Sequence, residues 1–260
     1  MKSGKEVSID YYSHISGLRN INPAIKVLFS FTILVLSLLL DNPFVSIAVI
    51  LVTSGVTVLK GKIPLIGYFK ILLIPIAFIL LGTIAIGVEF SKEAAGEYYV
   101  NLGFAYIYTT LDKIREMVFL ILKVFSAICA LQLTTLSTPS TEFISVLVKM
   151  KLPKIIAELM YLIYRFIFIL NDVYMKMRNS AHSRLGYNNF RTSCYTFGNI
   201  AGNMLIVSLK RANTYHDAME SRCYDGDLCF LEEEKKISWK HIAYSLVFIA
   251  IIFLIWVFTK

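Results

Sequence analysis

The residues with the most distinctive chemistry in this sequence are two arginines, each of which follows a serine near the predicted end of a helix. Arg184 lies in the run AHSRLG, residues 181–186, and Arg222 lies in the run AMESRCYDG, residues 218–226. A guanidinium at the end of a helix stays charged and binds carboxylates through two parallel hydrogen bonds, so it suits an acidic groove on another protein. An arginine in a last helical turn also gains about 0.3–1 kcal/mol from the helix dipole, which is a purely structural explanation. The repetition favours docking, and the candidate docking residues are Ala181, Ser183, Arg184, Gly186, Ala218, Ser221, Arg222 and Gly226.

The other reactive side chains do not form a recognisable set. The histidines are far apart in the sequence, at His14, His182, His216 and His241, and the four cysteines include no Cys-x-x-Cys pair. Metal sites in proteins need clustered ligands. We therefore expect no metal site, no cofactor and no catalytic residue in this chain.

The composition is that of a membrane protein. The 260 residues are 57% hydrophobic and 17% charged, whereas a soluble domain carries about 25% charged residues. We predict an all-α, polytopic membrane protein that forms one integrated unit. The net charge of +8 does not indicate nucleic-acid binding, because the positive residues are better explained by their placement relative to the membrane.

Five apolar stretches are suited to crossing a bilayer, which needs about 20 helical residues. They are Ala24–Leu40, Phe44–Leu59, Tyr68–Val88, Ile114–Leu136 and Ile242–Phe258. Lysine and arginine mark the flank before the first stretch and the flank between the second and third, while residues 89–112 are mostly acidic. Since cytoplasmic flanks carry the positive charge, the N-terminus is predicted to lie in the cytoplasm.

Residues 155–174 are a sixth apolar run that we expect not to cross the membrane. More than half of the chain's 26 Lys and Arg follow Ser137, and a sixth span would place many of them outside the cell, against the charge rule. Six spans is the alternative. The predicted organisation is therefore residues 1–136 as transmembrane helices, 137–238 as a cytoplasmic-side region that carries both arginines, and 239–260 as a last transmembrane helix.

Two long helices are predicted within the cytoplasmic-side region. The first begins at Pro153 and ends near Arg184, with an apolar stripe from Ile156 to Met177 and a polar side that includes Glu158 and Arg165. The second is predicted to begin near Phe197, after a polar connection. Its Gly198 and Gly202 are four residues apart, a spacing that lets another helix approach closely, so we expect the long helices to cross there.

The two arginine runs, the Thr138-Pro139 helix start and the Asn22-Pro23-x-x-Lys26 motif together resemble a known family. This family is the transmembrane T component of energy-coupling factor (ECF) transporters, and the form of the second arginine run is most similar to its cobalt-transport group, CbiQ. The resemblance covers almost the whole chain and is strongest from Thr138 to Gly226. This sequence departs from the family's usual Ala-Arg-Gly form, since Leu185 and Cys223 follow the arginines.

The resemblance implies a non-catalytic scaffold in the cell membrane. In this family two arginine-centred motifs, here at Arg184 and Arg222, dock into two ATP-binding-cassette ATPase subunits, and a substrate-binding S component lies beside the scaffold. The chain has no Gly-x-x-x-x-Gly-Lys-Ser/Thr phosphate loop, so a partner must hydrolyse ATP. The implied cargo is cobalt for cobalamin synthesis, and nickel or a vitamin is the alternative. A self-sufficient channel or secondary carrier and an integral-membrane enzyme are rival classes.

Overall fold

The computed structural model describes residues 9–87, 89–91, 98–101, 106–226, 235 and 237–259. The chain divides into two compact units, residues 1–143 with 234–260 and residues 144–233. The elements of the N-terminal half are α1 (Ile9–Ile15), α2 (Pro23–Leu39), α3 (Pro43–Gly55) with a π-helical turn (Val56–Lys60), α4 (Leu65–Gly87), β1 (Glu89–Ser91), β2 (Tyr98–Asn101) and β3 (Tyr106–Thr109). They are followed by α5 (Leu111–Ser137), α6 (Ser140–Lys149), α7 (Lys154–Ser183), α8 (Phe190–Glu220) and α9 (Trp239–Thr259).

The prediction of an all-α polytopic membrane protein is confirmed. Four helical segments of the described chain are long and apolar enough to cross a membrane, and α2 is a shorter apolar helix. These segments are Pro43–Lys60, Leu65–Thr83, Leu111–Ser137 and Trp239–Thr259. Each of the five predicted stretches therefore coincides with an apolar helix, and α7, which contains the sixth apolar run, is not one of the four. The structure adds a small antiparallel sheet in the order β1-β3-β2, which the sequence analysis did not predict.

Two of the apolar helices begin in the same way. Asn22 precedes Pro23 and its Oδ1 accepts a hydrogen bond from the Ala24 N–H at 3.0 Å, and Asn42 does the same for the Phe44 N–H at 3.0 Å. An asparagine at the N-cap pairs a backbone donor that the helix leaves free, and proline fits the first helical position because it has no N–H to satisfy. The Asn-Pro pairs therefore fix where α2 and α3 start.

The core of the first unit surrounds α5, which packs against α2, α3 and α4. Ile33, Val45, Val49 and Ala130 are fully buried in one cluster with α9, and Leu72, Cys129 and Leu136 belong to a second cluster. Ser30 of α2 also donates a hydrogen bond to the carbonyl of Ala130. Small residues of this kind allow two helices to approach closely. Their hydroxyls form hydrogen bonds with the neighbouring helix where no water is present.

The second unit contains the antiparallel pair α7 and α8. α7 begins at Lys154 and ends at Ser183, as the sequence predicted. The predicted start of the next helix near Phe197 is wrong, because α8 begins at Phe190. The residues from Arg191 to Thr196 are polar, but polar residues are compatible with an exposed helical turn. The connection between the helices is therefore short.

Candidate docking site

The end of α7 places Arg184 at the helix C-cap. The Gly186 N–H donates to the Ala181 carbonyl at 2.9 Å and the Leu185 N–H donates to the His182 carbonyl at 3.1 Å. Leu185 has a φ of 56°. This pair of bonds around a left-handed residue is a Schellman motif, which satisfies carbonyls that the end of a helix leaves without partners. The turn fixes the backbone that carries Arg184.

The end of α8 repeats this geometry around Arg222. The Tyr224 N–H donates to the Met219 carbonyl at 3.1 Å, and the Cys223 N–H donates to the Glu220 carbonyl at 3.0 Å. Cys223 has a φ of 60°. Relative to the closing hydrogen bonds, Arg222 takes the same position as Arg184, directly before a left-handed residue. The end of α8 itself lies one residue earlier, with Ser221 at its C-cap.

The residues around Arg184 and Arg222 are not structurally equivalent in the way that their similar sequences suggest. The left-handed residue is Leu185 in one turn and Cys223 in the other, and neither is a glycine. Gly186 follows Leu185 directly, whereas Gly226 lies further along the chain with a φ of 100°. Ala181 accepts the closing bond in the first turn, but Met219 rather than Ala218 does so in the second. The structural equivalence is thus centred on the arginines and on the residue that follows each of them.

The two serines bond to their own helices. Ser183 Oγ donates to the Asn179 carbonyl at 3.1 Å, and Ser221 Oγ donates to the Ala218 carbonyl at 3.0 Å. Such bonds occupy carbonyls in the last helical turn. The serines therefore contribute to the helix ends in this structure.

Both arginine side chains belong to exposed residues. Within the part of the chain that the structure describes, no ion pair within 4.0 Å involves Arg184 or Arg222. A carboxylate-rich groove on another protein could therefore engage either guanidinium without first breaking an ion pair among these residues.

The antiparallel packing of α7 and α8 puts the arginines at opposite ends of the pair. Thr196 Oγ1 donates to the Gly186 carbonyl at 2.9 Å near one end, and the rings of Phe166 and Tyr215 are 4.9 Å apart further along. A helix rises 1.5 Å per residue, so the 31-residue α8 separates the two helix ends by about 45 Å. The two guanidiniums are too far apart to share one groove.

Gly198 and Gly202 do not mediate the contact between α7 and α8. A Cβ atom added at either glycine would have no heavy atom of another element of the described chain within 4 Å. The neighbouring Ile200 is instead the buried residue of α8. The expected crossing of the two long helices at Gly198 and Gly202 therefore has no such contact in the described residues, and this face of α8 is open.

Of the two charged residues predicted on the polar side of α7, Arg165 is exposed as expected and Glu158 is not. Glu158, placed on the polar side of α7, is only 8% exposed, and the Tyr224 hydroxyl donates to its Oε2 at 3.5 Å. This contact connects the chain directly after Arg222 to the beginning of α7. Arg165, expected to be solvated, is exposed and has its guanidinium carbon 5.4 Å from the centroid of the Tyr215 ring.

A second polar cluster lies in the first unit, where the sequence analysis noted Asn22 and Lys26 only as parts of a motif. Lys26 is 7% exposed, and its Nζ donates to the carbonyls of Ser137 at 2.8 Å and Leu18 at 3.3 Å. Glu142 lies between two cations, with Oε2 3.9 Å from Lys26 Nζ and Oε1 2.5 Å from Lys235 Nζ.

The same cluster includes the segment before α9. Asn22 Nδ2 donates to the Lys235 carbonyl at 2.7 Å. The cluster therefore joins the starts of α2 and α6 to the segment that leads into α9. Sequence spacing could not predict it, because Asn22, Glu142 and Lys235 are far apart along the chain.

Candidate metal ligands are not grouped in the described part of the chain. No group of three or more His, Cys, Asp or Glu side chains there is arranged to hold a metal ion. Cys129, Cys194 and Cys223 are free thiols, and Cys229 lies outside the described residues.

Apolar helices around α5, together with a helical pair that ends in two exposed arginines, define a multi-pass, all-α membrane protein. Comparison with known proteins gives a more specific assignment. The model of the cobalt transport protein family CbiQ matches residues 15–237. The chain belongs to the CbiQ family.

Three relatives extend over most of this chain. An uncharacterised protein of Methanocaldococcus jannaschii is 26% identical over 92% of this chain and 89% of its own. The cobalt transport protein CbiQ of Salmonella typhimurium is 23% identical over 84% of this chain and 97% of its own. A putative fused cobalt transport protein, CbiMQ, of Methanocorpusculum labreanum is 25% identical over 94% of this chain but only 41% of its own length.

Proposed function

We propose that this chain is the T component of an ECF-type importer, a non-catalytic scaffold that links ATP hydrolysis in two partner ATPases to movement of a substrate-binding S component. The observation that carries the proposal is the repeated turn around Arg184 and Arg222. Each turn presents an exposed guanidinium on a fixed backbone, which suits a carboxylate-lined groove. Family membership adds transport as the biological context.

The distance between the arginines supports two ATPase subunits rather than one. The guanidiniums lie at opposite ends of an antiparallel pair, separated by about 45 Å. One groove cannot hold both. We therefore assign one ATPase subunit to each arginine, with both arginines and the N-terminus on the cytoplasmic side, as the distribution of Lys and Arg predicts.

The apolar side chains of α7 and α8 support a partner in the membrane. Ile163 of α7 is 58% exposed, and Leu205 and Leu209 of α8 are 64% and 60% exposed. Apolar surface of this extent is covered by lipid or by another protein in a stable assembly. We assign part of it to the S component, with Gly198 and Gly202 as the place where a helix can approach α8.

The proposed mechanism follows from rigid attachment at both ends of the pair. ATP binding brings the two ATPase subunits together, and the grooves that hold Arg184 and Arg222 move with them. The pair α7–α8 then changes its tilt as a hinge or shear element. Its apolar surface transmits the tilt to the S component, which alternates between substrate loading and release.

Cobalt for cobalamin synthesis is the proposed cargo. Its support is the family match and the cobalt-transport names of two relatives. The fused CbiMQ relative is consistent with a second membrane component, because more than half of that protein lies outside the part that this chain matches. Nickel or a vitamin would need the same scaffold, and only the bound S component distinguishes them.

A self-sufficient secondary carrier is less well supported by the intramembrane charges. Such a carrier needs ionisable groups that can change partners during transport. Lys26 is held by two carbonyls and lies near Glu142, and Lys123 forms an ion pair with Asp41. Both lysines therefore have structural partners.

The test is co-purification of the complex from cells that express this chain together with the two ATPases and the S component. We expect Arg184→Ala combined with Arg222→Ala to lose both ATPases and all ATP-dependent uptake of labelled cobalt. Arg178→Ala is a matched control, because Arg178 is an exposed arginine of α7 outside the end turn. A double variant that still binds the ATPases and transports normally would disprove the docking role, and cobalt uptake by this chain alone in liposomes would favour the carrier.

A further inference from the structure

A groove in the first unit lies where α2 begins, where α3 ends and where α9 begins. Lys26, Lys60 and His241 line it, one from each of these three places. Lys60 is the last residue of the π-helical turn, and such turns are rare and frequently occur at functional sites. These three side chains form the mouth of the groove, and its two lysines carry positive charge.

The rest of the groove is mostly apolar, with Ser137 and Ser245 also in its lining, and it follows the same helices. Val56 and Val52 lie one and two turns before Lys60, and Phe29 and Phe248 continue the lining on α2 and α9. Positions four residues apart lie on one side of a helix. The groove is thus largely apolar along α2, α3 and α9, with two lysines at its mouth.

The charges at the mouth are positive. Among the described residues no aspartate or glutamate lines the groove, and none of their carboxylates is within 4.0 Å of Lys60. Lys60 Nζ lies instead 5.6 Å from the centroid of the Tyr244 ring, which belongs to a residue that is 67% exposed. Lys26 is near Glu142, but that carboxylate also binds Lys235, so two lysines share one carboxylate among the described residues of this cluster.

We propose that this groove binds one anionic membrane phospholipid, with its phosphate at Lys60 and His241 and one acyl chain along Val56, Val52 and Phe29. A phospholipid has the matching order of groups, an anion followed by a hydrocarbon chain. Basic pockets between transmembrane helices bind anionic headgroups, whereas a zwitterionic lipid lacks the net charge that the mouth selects. The bound lipid fills the space between α2, α3 and α9.

The experiment is a lipid titration of the purified full-length chain, followed by native mass spectrometry. Phosphatidylglycerol and phosphatidylcholine with identical acyl chains are compared, with oleate as a carboxylate that has a chain but no phosphate. We expect one phosphatidylglycerol to bind in preference to phosphatidylcholine, and Lys60→Gln to weaken it about fivefold, the loss expected for one cation.

Two further variants make the result specific. Lys70→Gln removes an exposed lysine of α4 that does not line the groove, and we expect it to leave lipid binding unchanged. Val52→Trp fills the apolar part of the groove without a change of charge, and we expect it to abolish the bound lipid. Circular dichroism of each variant verifies that the helices are retained.

Several outcomes would overturn the proposal. Equal binding of both phospholipids, or equal losses for Lys60→Gln and Lys70→Gln, would show that the mouth does not select an anionic headgroup. Saturation by oleate without binding of phosphatidylglycerol would assign the groove to free fatty acids. A photo-crosslinking residue at Val52 that captures another subunit instead of lipid, in the intact complex, would assign it to a protein helix.

Discussion

Leu185 and Cys223 adopt the same left-handed backbone conformation, with φ of 56° and 60°, and each directly follows an exposed arginine at the end of a long helix. The two positions match in hydrogen bonding as well as in φ. They identify the arginines as equivalent residues of the two turns, although the surrounding sequences differ. The proposed docking role depends on this equivalence.

Each arginine is expected to hold one ATPase by itself. Arg184→Ala should remove one ATPase subunit and Arg222→Ala the other, because the two helix ends are about 45 Å apart. Loss of one partner of a buried ion pair costs about 3–5 kcal/mol. Arg→Lys at either position should give a smaller loss, since lysine keeps the charge but not the two parallel hydrogen bonds.

The measurement is the mass of the purified complex by light scattering. Arg178→Ala should leave the mass unchanged. Loss of both ATPases from either single variant would mean that the two docking sites are not independent.

At the two left-handed positions, Leu185 and Cys223, we expect substitution by glycine to be tolerated and substitution by a β-branched residue to destabilise the turn. Leu185→Gly removes a conformational strain of about 1–2 kcal/mol, offset in part by the greater backbone entropy of glycine, about 0.5–1 kcal/mol. Leu185→Val places a β-branched residue at positive φ, which is strongly disfavoured. Leu185 is 71% exposed, so little packing is lost in either variant.

Hydrogen exchange of the Gly186 amide reports directly on this turn, because that N–H closes the motif. Protection should be kept or increased in Leu185→Gly and reduced in Leu185→Val. The same contrast is expected at Tyr224 for Cys223→Gly and Cys223→Val. Equal protection in the glycine and valine variants would contradict the assigned backbone conformation.

Substitution by alanine should lower the stability of the protein at Gly186 and keep or raise it at Gly198. A Cβ at Gly186 would lie 2.9 Å from Thr196 Oγ1 and 3.0 Å from the Ala181 carbonyl oxygen, and crowding of this kind destabilises by about 1–3 kcal/mol. A Cβ at Gly198 would have no such neighbour within 4 Å, and alanine favours a helix interior by up to about 1 kcal/mol.

Thermal unfolding followed by circular dichroism measures both changes in the isolated chain. We expect a lower unfolding temperature for Gly186→Ala and an equal or higher one for Gly198→Ala. If Gly198→Ala also weakens association with the S component, the glycine face of α8 contacts that partner. A lower unfolding temperature for Gly198→Ala in the isolated chain would contradict the open surface described for this glycine.

Glu142 is expected to be essential for stability because it lies between two lysines. Glu142→Gln removes the negative charge beside Lys26, which is 7% exposed, and an uncompensated buried charge typically destabilises by about 3–5 kcal/mol. Glu142→Gln combined with Lys235→Gln should recover part of the loss, since one of the two cations is then removed.

The measurement compares the unfolding temperatures of Glu142→Gln, of the Glu142→Gln and Lys235→Gln double variant, and of Glu220→Gln as a control. Glu220 pairs with His216 on the surface of α8, where the side chains are 65% and 63% exposed. Surface pairs contribute about 0–1 kcal/mol, so Glu220→Gln should have little effect. Similar losses for Glu142→Gln and Glu220→Gln would show that burial does not strengthen the Glu142 cluster.

Much of the helical framework follows from local sequence rules. The Asn-Pro pairs at residues 22–23 and 42–43 predict the starts of α2 and α3, and Ser183-Arg184 predicts the end of α7. Helix capping depends on a few neighbouring residues, and a membrane span depends on about 20 consecutive residues. Both can therefore be predicted from a continuous stretch of sequence. The start of α8 was missed because polarity alone does not distinguish an exposed helix from a loop.

The sequence by itself determined the class of protein, the five apolar helices and the position of the two arginines near the ends of long helices. Only the tertiary structure decided that α7 and α8 are antiparallel, which puts Arg184 and Arg222 at opposite ends, and that Leu185 and Cys223 take the left-handed position. It also joined Lys26 to Glu142 and Lys235. These relationships depend on contacts between residues far apart in the chain, or on a backbone conformation that the side chain at that position does not itself favour.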